Sequence, residues 1–177
     1  LFYALEKGEP IALSVNRPDT IVFDRSVGNS KPSDATNGAY VFYETMDNGQ
    51  STMDKRLVLV VSGGITLANT MEIIPGLEKD GLNVKVVAVT SPELFEELRK
   101  TDPQKAEEIF SEEDRKNVIT IHNGWKGFLY PFILPSDYEK RSMGIDTYLR
   151  SGSTAEVYNL AGLDADGIKN KILRVIK

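Results

Sequence analysis

The one histidine of the chain, His122, directly follows a short apolar segment, Asn117–Ile121. The end of a buried strand is where α/β domains commonly hold catalytic groups, and an imidazole can exchange a proton near neutral pH. However, no nearby residues form a nucleophile and base pair with it. We therefore expect a structural or surface role for His122. Trp125, three residues later, is expected to be an interface or core anchor rather than a substrate platform.

Two adjacent glycines, Gly63 and Gly64, stand between the apolar run Leu57–Val61 and a segment with helical spacing. A helix N-terminus can bind phosphate through its free N–H groups and its dipole. The lysine of a P-loop and the third glycine of a dinucleotide-binding fingerprint are both missing here. The pattern therefore favours a tight strand-to-helix turn. A stand-alone module that binds a small anion at this turn remains an alternative.

The acidic clusters of the sequence do not have the spacing of a metal site. Aligning Gly167 with the glycine of a calcium loop puts Gly162 at the first ligand position and Leu173 at the position of the bidentate acid, so Asp164–Gly167 is no such loop. The other cluster, Glu112–Asp114, is expected to be a solvated face. We predict neither a metal site nor a catalytic set in this chain.

Continuous apolar runs separated by helical segments indicate the architecture. Leu57–Val61, Val84–Val89 and Asn117–Ile121 lack the alternation of half-exposed strands, which is typical of a parallel sheet covered on both faces. Ala39–Glu44 is predicted as a further strand. We expect a three-layer α/β/α domain with a mostly parallel sheet of about five strands. Its core should contain Val58, Val60, Val86, Val87, Val118 and Ile121.

Helix boundaries are marked by capping signals. The spacing predicts N-caps at Ser91 (before Pro92), at Ser111 and Ser153 (each with an acid three residues later) and at Asp164, with Gly162 ending the helix that Ser153 begins. The charged segment Pro103–Lys116 is predicted as a surface helix. Trp125–Tyr138 is predicted as a helix or a packed loop. Pro75 should kink or break its helix near Ile74.

The first part of the chain differs from the rest in composition. We expect the end of a helix at Phe2–Leu5, a short strand at Ile11–Ser14 and a loop or linker over Arg17–Asn37 that holds a small strand at Ile21–Phe23. A turn is predicted at Asp47–Gln50. Residues 1–36 are thus separated from a compact domain at 37–177, and the start at Leu1 suggests a piece of a longer protein.

Composition excludes several classes of function. The net charge is −5 and no basic run is present, which argues against a nucleic-acid partner. No apolar stretch approaches the roughly 20 residues that a membrane span needs, and no signal peptide is visible. The chain has no cysteine. Its absence fits a reducing compartment, so we expect a cytoplasmic location.

Four segments, in their order along the chain, resemble the C-terminal domain of transketolases. Asn37–Glu44 reads NGAYVFYE, Ser91–Glu97 reads SPELFEE, Met143–Tyr148 reads MGIDTY, and Ser151–Tyr158 reads SGSTAEVY and is followed by LAGL. The resemblance covers nearly the whole chain. The turn at Gly63 departs from the family's pattern by one residue, and the family usually has a carboxylate where His122 stands.

The resemblance implies a role for each part of the chain. Residues 1–36 would be the end of the preceding pyrimidine-binding domain plus the linker, and 37–177 the C-terminal domain. That domain packs on its neighbours and helps a homodimer to assemble. The parent enzyme would transfer a two-carbon ketol unit between sugar phosphates, with thiamine diphosphate and magnesium held by its other domains. The isolated chain is expected to bind no cofactor and to be inactive. The last domain of a related enzyme, such as a 2-oxo acid dehydrogenase subunit, is an alternative.

One candidate substrate-binding residue follows from the resemblance. The family's strand commonly reads aL(S/T)RQNlP, and its arginine holds the phosphate of the sugar. Here Ile11–Pro18 reads IALSVNRP, which puts Val15 at that position. Arg17 takes the role only if the loop shifts by two residues. A guanidinium grips phosphate through paired charged hydrogen bonds, which valine lacks.

Overall fold

The described residues are 2–8, 10–24, 30–45 and 56–176 of a computed structural model of the chain. The turn predicted at residues 47–50 lies outside this range. A five-stranded sheet has the order β1-β3-β2-β4-β5. The strands are β1 Ala39–Glu44, β2 Arg56–Ser62, β3 Asn83–Val89, β4 Val118–His122 and β5 Ser142–Met143.

The three central strands are parallel neighbours, as predicted. β2 pairs in parallel with both β3 and β4, β4 pairs in parallel with β5, and β1 pairs antiparallel with β3. The expectation of a mostly parallel sheet is confirmed. All six expected core residues are buried, namely Val58, Val60, Val86, Val87, Val118 and Ile121.

Helices cover both faces of the sheet and produce the three-layer architecture. Their bounds are α1 Phe2–Lys7, α2 Gly64–Lys79, α3 Pro92–Thr101, α4 Pro103–Ile109, α5 Glu112–Lys116, α6 Tyr138–Arg141, α7 Thr154–Ala161 and α8 Ala165–Val175. The 3₁₀ helices span Pro32–Asn37 and Lys126–Phe132. No helix of the described ranges is long enough and apolar enough to span a membrane.

Alternate residues of β2 point to opposite layers, which explains why its apolar run is unbroken. Leu57, Leu59 and Val61 pack in one core cluster with residues of α2 and α8. Val58 and Val60 pack in the other, with residues of α3, α4 and the second 3₁₀ helix. A strand with helices on both faces has no solvent side for polar residues.

The predicted caps are all present. Ser91, Ser111, Ser153 and Asp164 each accept a hydrogen bond from a backbone N–H of the first helical turn, and Gly162 ends α7 in the left-handed conformation. Pro103–Lys116 is divided at Ser111 into α4 and α5, so one continuous helix was wrong there. Ala106, Ile109 and Phe110 are also buried, so the segment contributes to the core.

Of the kink or break expected near Ile74, the break does not occur, because α2 is one continuous helix through Pro75. Proline removes only one hydrogen bond of the helical ladder. Ile73, Ile74 and Leu77, on both sides of the proline, are buried in the core cluster beneath α2. This packing holds the helix together where local preference disfavours it.

The two strands predicted before residue 30 are absent. Neither Ile11–Ser14 nor Ile21–Phe23 is assigned to a strand. Both segments lack regular secondary structure, and Leu13 and Val22 are exposed. An isolated extended segment lacks the ladder hydrogen bonds and the neighbours that stabilise a strand. The two segments have a strand-like composition, but neither is paired with a strand of the sheet.

Candidate functional site

A groove lies at the carboxyl ends of the central strands. β2, β3 and β4 end at Ser62, Val89 and His122. In the sheet, β3 lies on one side of β2 and β4 lies on the other. The connections that leave β2 and β4 therefore run to opposite sides of the sheet, which makes the position between these two strands a topological switch point. Open α/β sheets bind ligands at such a switch point. The groove has a volume of about 880 Å³.

His122 is the half-buried titratable group of this groove. It pairs with Ser62 in the β2–β4 register, and its Nδ1 lies 3.4 Å from the Ser62 carbonyl oxygen. Its ring stacks on Phe128 with 4.5 Å between centroids. Burial lowers the pKa of His122, and the Ser62 carbonyl offsets only part of that effect. The imidazole is therefore mainly neutral at pH 7.

The turn itself accounts for both glycines. Gly63 has φ of +103°, and a Cβ on it would lie 2.7 Å from Asn123 Oδ1. A Cβ on Gly64 would lie 2.2 Å from Asn16 Nδ2. The first residue needs a backbone conformation that side chains disfavour, and both are crowded by amide side chains. The predicted tight strand-to-helix turn is confirmed.

The segment before the sheet lies over the groove. Residues 12–16 and Thr20 line it together with the strand ends. Val15 and Arg17 line a neighbouring pocket of about 360 Å³ with Asn123, and Arg17 is exposed. The structure thus puts both residues next to the carboxyl edge, and phosphate recognition by Arg17 stays a prediction. Trp125 is 67% exposed, so it is no core anchor.

A buried cluster of charges lies toward the opposite ends of the same strands. Asp114, at 1% exposure, accepts hydrogen bonds from Lys85 Nζ at 2.7 Å and from Arg56 Nη2 at 2.7 Å. Burial raises the pKa of Asp114, but hydrogen bonds from Lys85, the Ser111 N–H and Arg56 outweigh it and leave the pKa lowered. The solvated face expected at Glu112–Asp114 is therefore wrong for Asp114. The charge is buried because two cations compensate it.

His122 and the glycine turn stand out in the sequence, although a structural or surface role was expected for His122, whereas the residues that surround them do not stand out. Asn123 and Thr90 line the groove, yet each is a common polar residue at a strand end. The buried charge cluster did leave a signal, because Lys85 interrupts the otherwise apolar run Val84–Val89. A lysine inside a buried strand requires an acidic partner. The acidic partner is Asp114 of α5, 29 positions later in the chain. No fixed spacing in the sequence connects the two residues.

Comparison with known proteins identifies the family. Residues 38–164 match the family described as the transketolase-like TK C-terminal domain. The chain belongs to this family. A transketolase from Buchnera aphidicola subsp. Baizongia pistaciae is 26% identical over 171 residues, which cover 97% of this chain and 23% of that protein. The chain thus spans about a quarter of this curated relative.

Solved transketolases share the fold of this transketolase-like domain. The enzyme from Campylobacter jejuni has a TM-score of 0.57 at 24% identity, over 90% of this chain and 20% of that one. The enzyme from Leishmania mexicana has a TM-score of 0.59 at 18% identity, over 83% and 19%. A split-gene transketolase described as an inactive β4 tetramer has a TM-score of 0.54 at 16% identity, over 88% and 46%.

Within residues 2–8, 10–24, 30–45 and 56–176 of the transketolase-like domain, no group of three or more acidic or histidine side chains is placed to hold a metal ion. Magnesium in such sites takes carboxylate and phosphate oxygens in near-octahedral geometry. We therefore assign no step of thiamine chemistry to the residues of this domain.

Proposed function

We propose that this chain is the C-terminal structural and assembly domain of a thiamine-diphosphate-dependent, transketolase-like enzyme, and that it is not catalytic by itself. The family match over residues 38–164 carries this proposal. The parent enzyme would move a two-carbon ketol unit between sugar phosphates in the cytoplasm. Its other domains would hold thiamine diphosphate and magnesium, because the chain spans only 23% of the related Buchnera transketolase.

A solved relative supports the division of labour. The split-gene transketolase is described as an inactive tetramer of its β chain, and this chain covers 46% of it. A separate chain that contains a domain of this fold is thus inactive in that protein. By analogy, we propose that the present domain contributes to activity only when it is assembled with the cofactor-binding domains.

Exposed apolar side chains support the assembly role. Tyr148 is 93% exposed, Trp125 67% and Leu160 53%. Apolar surface that remains exposed in one domain is often covered by a partner. We propose that these side chains contact the other domains of the parent enzyme or the second subunit of a homodimer. In the full enzyme, a Tyr148→Ser variant should weaken assembly without altering the fold of this domain.

No specific observation favours the alternatives. The family match is to the transketolase-like group rather than to a 2-oxo acid dehydrogenase subunit. The small-anion module needs a purpose for Gly63 and Gly64 beyond the turn, and the turn accounts for both. We therefore retain the transketolase-like assignment as the one that the sequence and the fold support best.

The most detailed part of the proposal is phosphate recognition by Arg17. Arg17 is exposed and lies in the same short segment as Val15, two residues from the position where the family has its arginine. If Arg17 anchors the phosphate, Arg17→Ala in the full parent enzyme raises the Michaelis constant for phosphorylated sugars by about one to two powers of ten. Val15→Ala is the matched control. An unchanged constant in Arg17→Ala would remove Arg17 from the site.

Complementation in trans tests the assembly role. Ketol transfer would be measured for this chain alone, for the parent polypeptide without the region of residues 38–176, and for the mixture. We expect no activity from the chain alone and a gain in the mixture over the truncated parent. Size-exclusion chromatography would show the two pieces co-eluting. Activity of the chain alone, or a mixture no better than the truncated parent, would contradict the proposal.

A further inference from the structure

The groove at the carboxyl ends of β2, β3 and β4 has the size and position of a ligand site. Its volume of about 880 Å³ falls in the range of roughly 300–1,000 Å³ that small-molecule sites occupy. It lies at the switch point between β2 and β4. Residues 12–16, which precede the sheet in the chain, also line the groove. We infer that this groove binds a small, uncharged, polyhydroxylated molecule.

The charge of the lining determines the class of ligand. Half of the lining residues carry uncharged hydrogen-bonding side chains, among them Asn16, Thr20, Ser62, Thr90, His122 and Asn123. None of the described lining residues is a lysine or an arginine, and the one carboxylate is Glu93 at the exposed rim. A phosphorylated ligand needs cationic or multiple N–H partners to replace its hydration. Hydroxyl groups, which both donate and accept, match this lining without any charge.

The shape of the lining also suits a polyol. Phe128 presents an aromatic surface beside the imidazole of His122, and Leu13 and Val89 add apolar contacts. The C–H faces of a sugar pack against such surfaces while its hydroxyls reach polar groups at the edges. Asn123 is already oriented, because its Nδ2 donates to the hydroxyl of Tyr158 at 3.2 Å. Its Oδ1 lies beside Gly63, and both residues line the groove.

Two other cavities fit a neutral ligand less well, because charged side chains line them. A cavity of about 440 Å³ beside β5 is lined by the cations Lys126, Lys171 and Arg174 and by the carboxylates of Glu139 and Asp146. Lys126 forms ion pairs with Glu139 and Asp146, each at 2.9 Å, so its charge is already compensated. The pocket of about 360 Å³ next to the groove contains Arg17. That pocket is where a phosphate group would bind, which gives the test a way to separate the two chemistries.

Ligand-observed NMR titration of the chain with D-ribose and with D-ribose 5-phosphate tests the inference. We expect saturable binding of D-ribose with a dissociation constant on the order of 1–10 mM. His122→Phe keeps the aromatic stack and removes the ring nitrogens, and Asn123→Ala removes the carboxamide. Each should weaken D-ribose binding by about three- to tenfold. Thr101→Val, at an exposed threonine of α3 that does not line the groove, is the matched control and should leave D-ribose binding unchanged.

Each outcome bears on the site itself. Thr20→Val, an exposed position on the rim, repeats the test without risk to the core and should also weaken binding. Absence of saturable D-ribose binding, or binding that none of the three groove variants weakens, would overturn the inference. Tighter binding of D-ribose 5-phosphate that Arg17→Ala abolishes would place the ligand in the neighbouring pocket and would also overturn it. The titration contains no thiamine diphosphate, so its result is independent of the proposed function.

Discussion

The two ends of the central strands use polar residues in opposite ways. Toward the amino ends, Arg56, Lys85 and Asp114 are joined by hydrogen bonds of 2.7–2.9 Å around a carboxylate that is 1% exposed. At the carboxyl ends, His122 and Asn123 line an open groove and are uncharged at neutral pH. The charges of the first region compensate one another and are unavailable to a ligand. The polar groups of the second region remain accessible.

This contrast separates stability from binding within one sheet. A buried charge is tolerated only when its partners are in place, so the amino-end cluster is sensitive to the loss of any member. The carboxyl-end groove is built mainly from neutral groups and from a turn whose backbone conformation requires glycine. Substitutions there should affect stability less, and the following predictions test that difference from the largest effect to the smallest.

Removal of the central carboxylate should have the largest effect. In Asp114→Ala, Lys85 is left buried without its acidic partner. The loss of one member of a buried ion pair costs about 3–5 kcal/mol, so the free energy of unfolding measured in urea should fall by that amount. Glu113→Gln, in the same helix and paired with Lys116 at the surface, is the matched control and should change stability by less than about 1 kcal/mol. Equal effects would contradict the account.

The pH dependence of the same cluster has a defined sign. The pKa of Asp114 is lower in the folded chain than in the unfolded chain. Its stabilising contribution is therefore fully present above the unfolded pKa of about 4 and is lost as the pH falls through the folded value. Asp114→Ala should lack this part of the acid-induced loss of stability. A variant with an unchanged acid profile would exclude Asp114 as its source.

Substitution of the turn glycine should have an intermediate effect. Gly63→Ala forces a side chain onto a backbone with φ of +103° and against Asn123, which should cost about 1–3 kcal/mol. Gly76→Ala is the control within α2, because its Cβ meets only Lys169 Nζ at 3.4 Å. Alanine stabilises a helix interior relative to glycine, so the free energy of unfolding of Gly76→Ala should rise by about 0.5–1 kcal/mol. Thermal unfolding of both variants would reveal the opposite signs.

Two N-cap serines, one in each region, allow the same Ser→Ala substitution to be compared. Ser153 caps α7 at the surface near the groove, and its replacement by alanine should cost about 1 kcal/mol. Ser111 caps α5 by accepting a hydrogen bond at 3.0 Å from the backbone N–H of Asp114 itself. Ser111→Ala should therefore cost more than Ser153→Ala, because it also disturbs the helix that holds the buried carboxylate. A larger loss in Ser153→Ala would reverse the comparison.

Protonation of the groove histidine should have the smallest effect. Burial lowers the pKa of His122 in the folded chain, so below about pH 6.5 the unfolded chain binds more protons. The wild type should lose stability relative to His122→Phe as the pH falls from 7 toward 5, and the difference should be constant above pH 7. Urea unfolding at each pH measures it. A difference that stays constant throughout would rule out a lowered pKa.

The sheet could be predicted because its signals are local. The runs Leu57–Val61 and Val84–Val89 contain enough consecutive apolar residues to define buried parallel strands. Three capping serines and Asp164 correctly predicted four helix starts. The break at Pro75 was wrong because packing of α2 on the sheet outweighs one lost hydrogen bond. The strand at Ile11–Ser14 was wrong because a strand also requires a partner.

The site could be predicted only in part, because it depends on distant contacts. His122 was recognisable as a histidine at a strand end. Its neighbours in the groove come from the ends of three strands and from residues 12–20, and no spacing in the sequence connects them. The pairing of Lys85 with Asp114 joins a strand to a helix 29 positions later. Such contacts are determined by the topology of the sheet rather than by local pattern.

Calorimetric titration of the isolated chain with thiamine diphosphate in the presence of magnesium tests the central claim most directly. The account assigns the chain an architectural role and leaves cofactor binding to other domains of the parent enzyme. It predicts no saturable heat at cofactor concentrations up to about 1 mM, far above the micromolar range of specific binding. Micromolar binding of thiamine diphosphate by this chain alone would contradict the account.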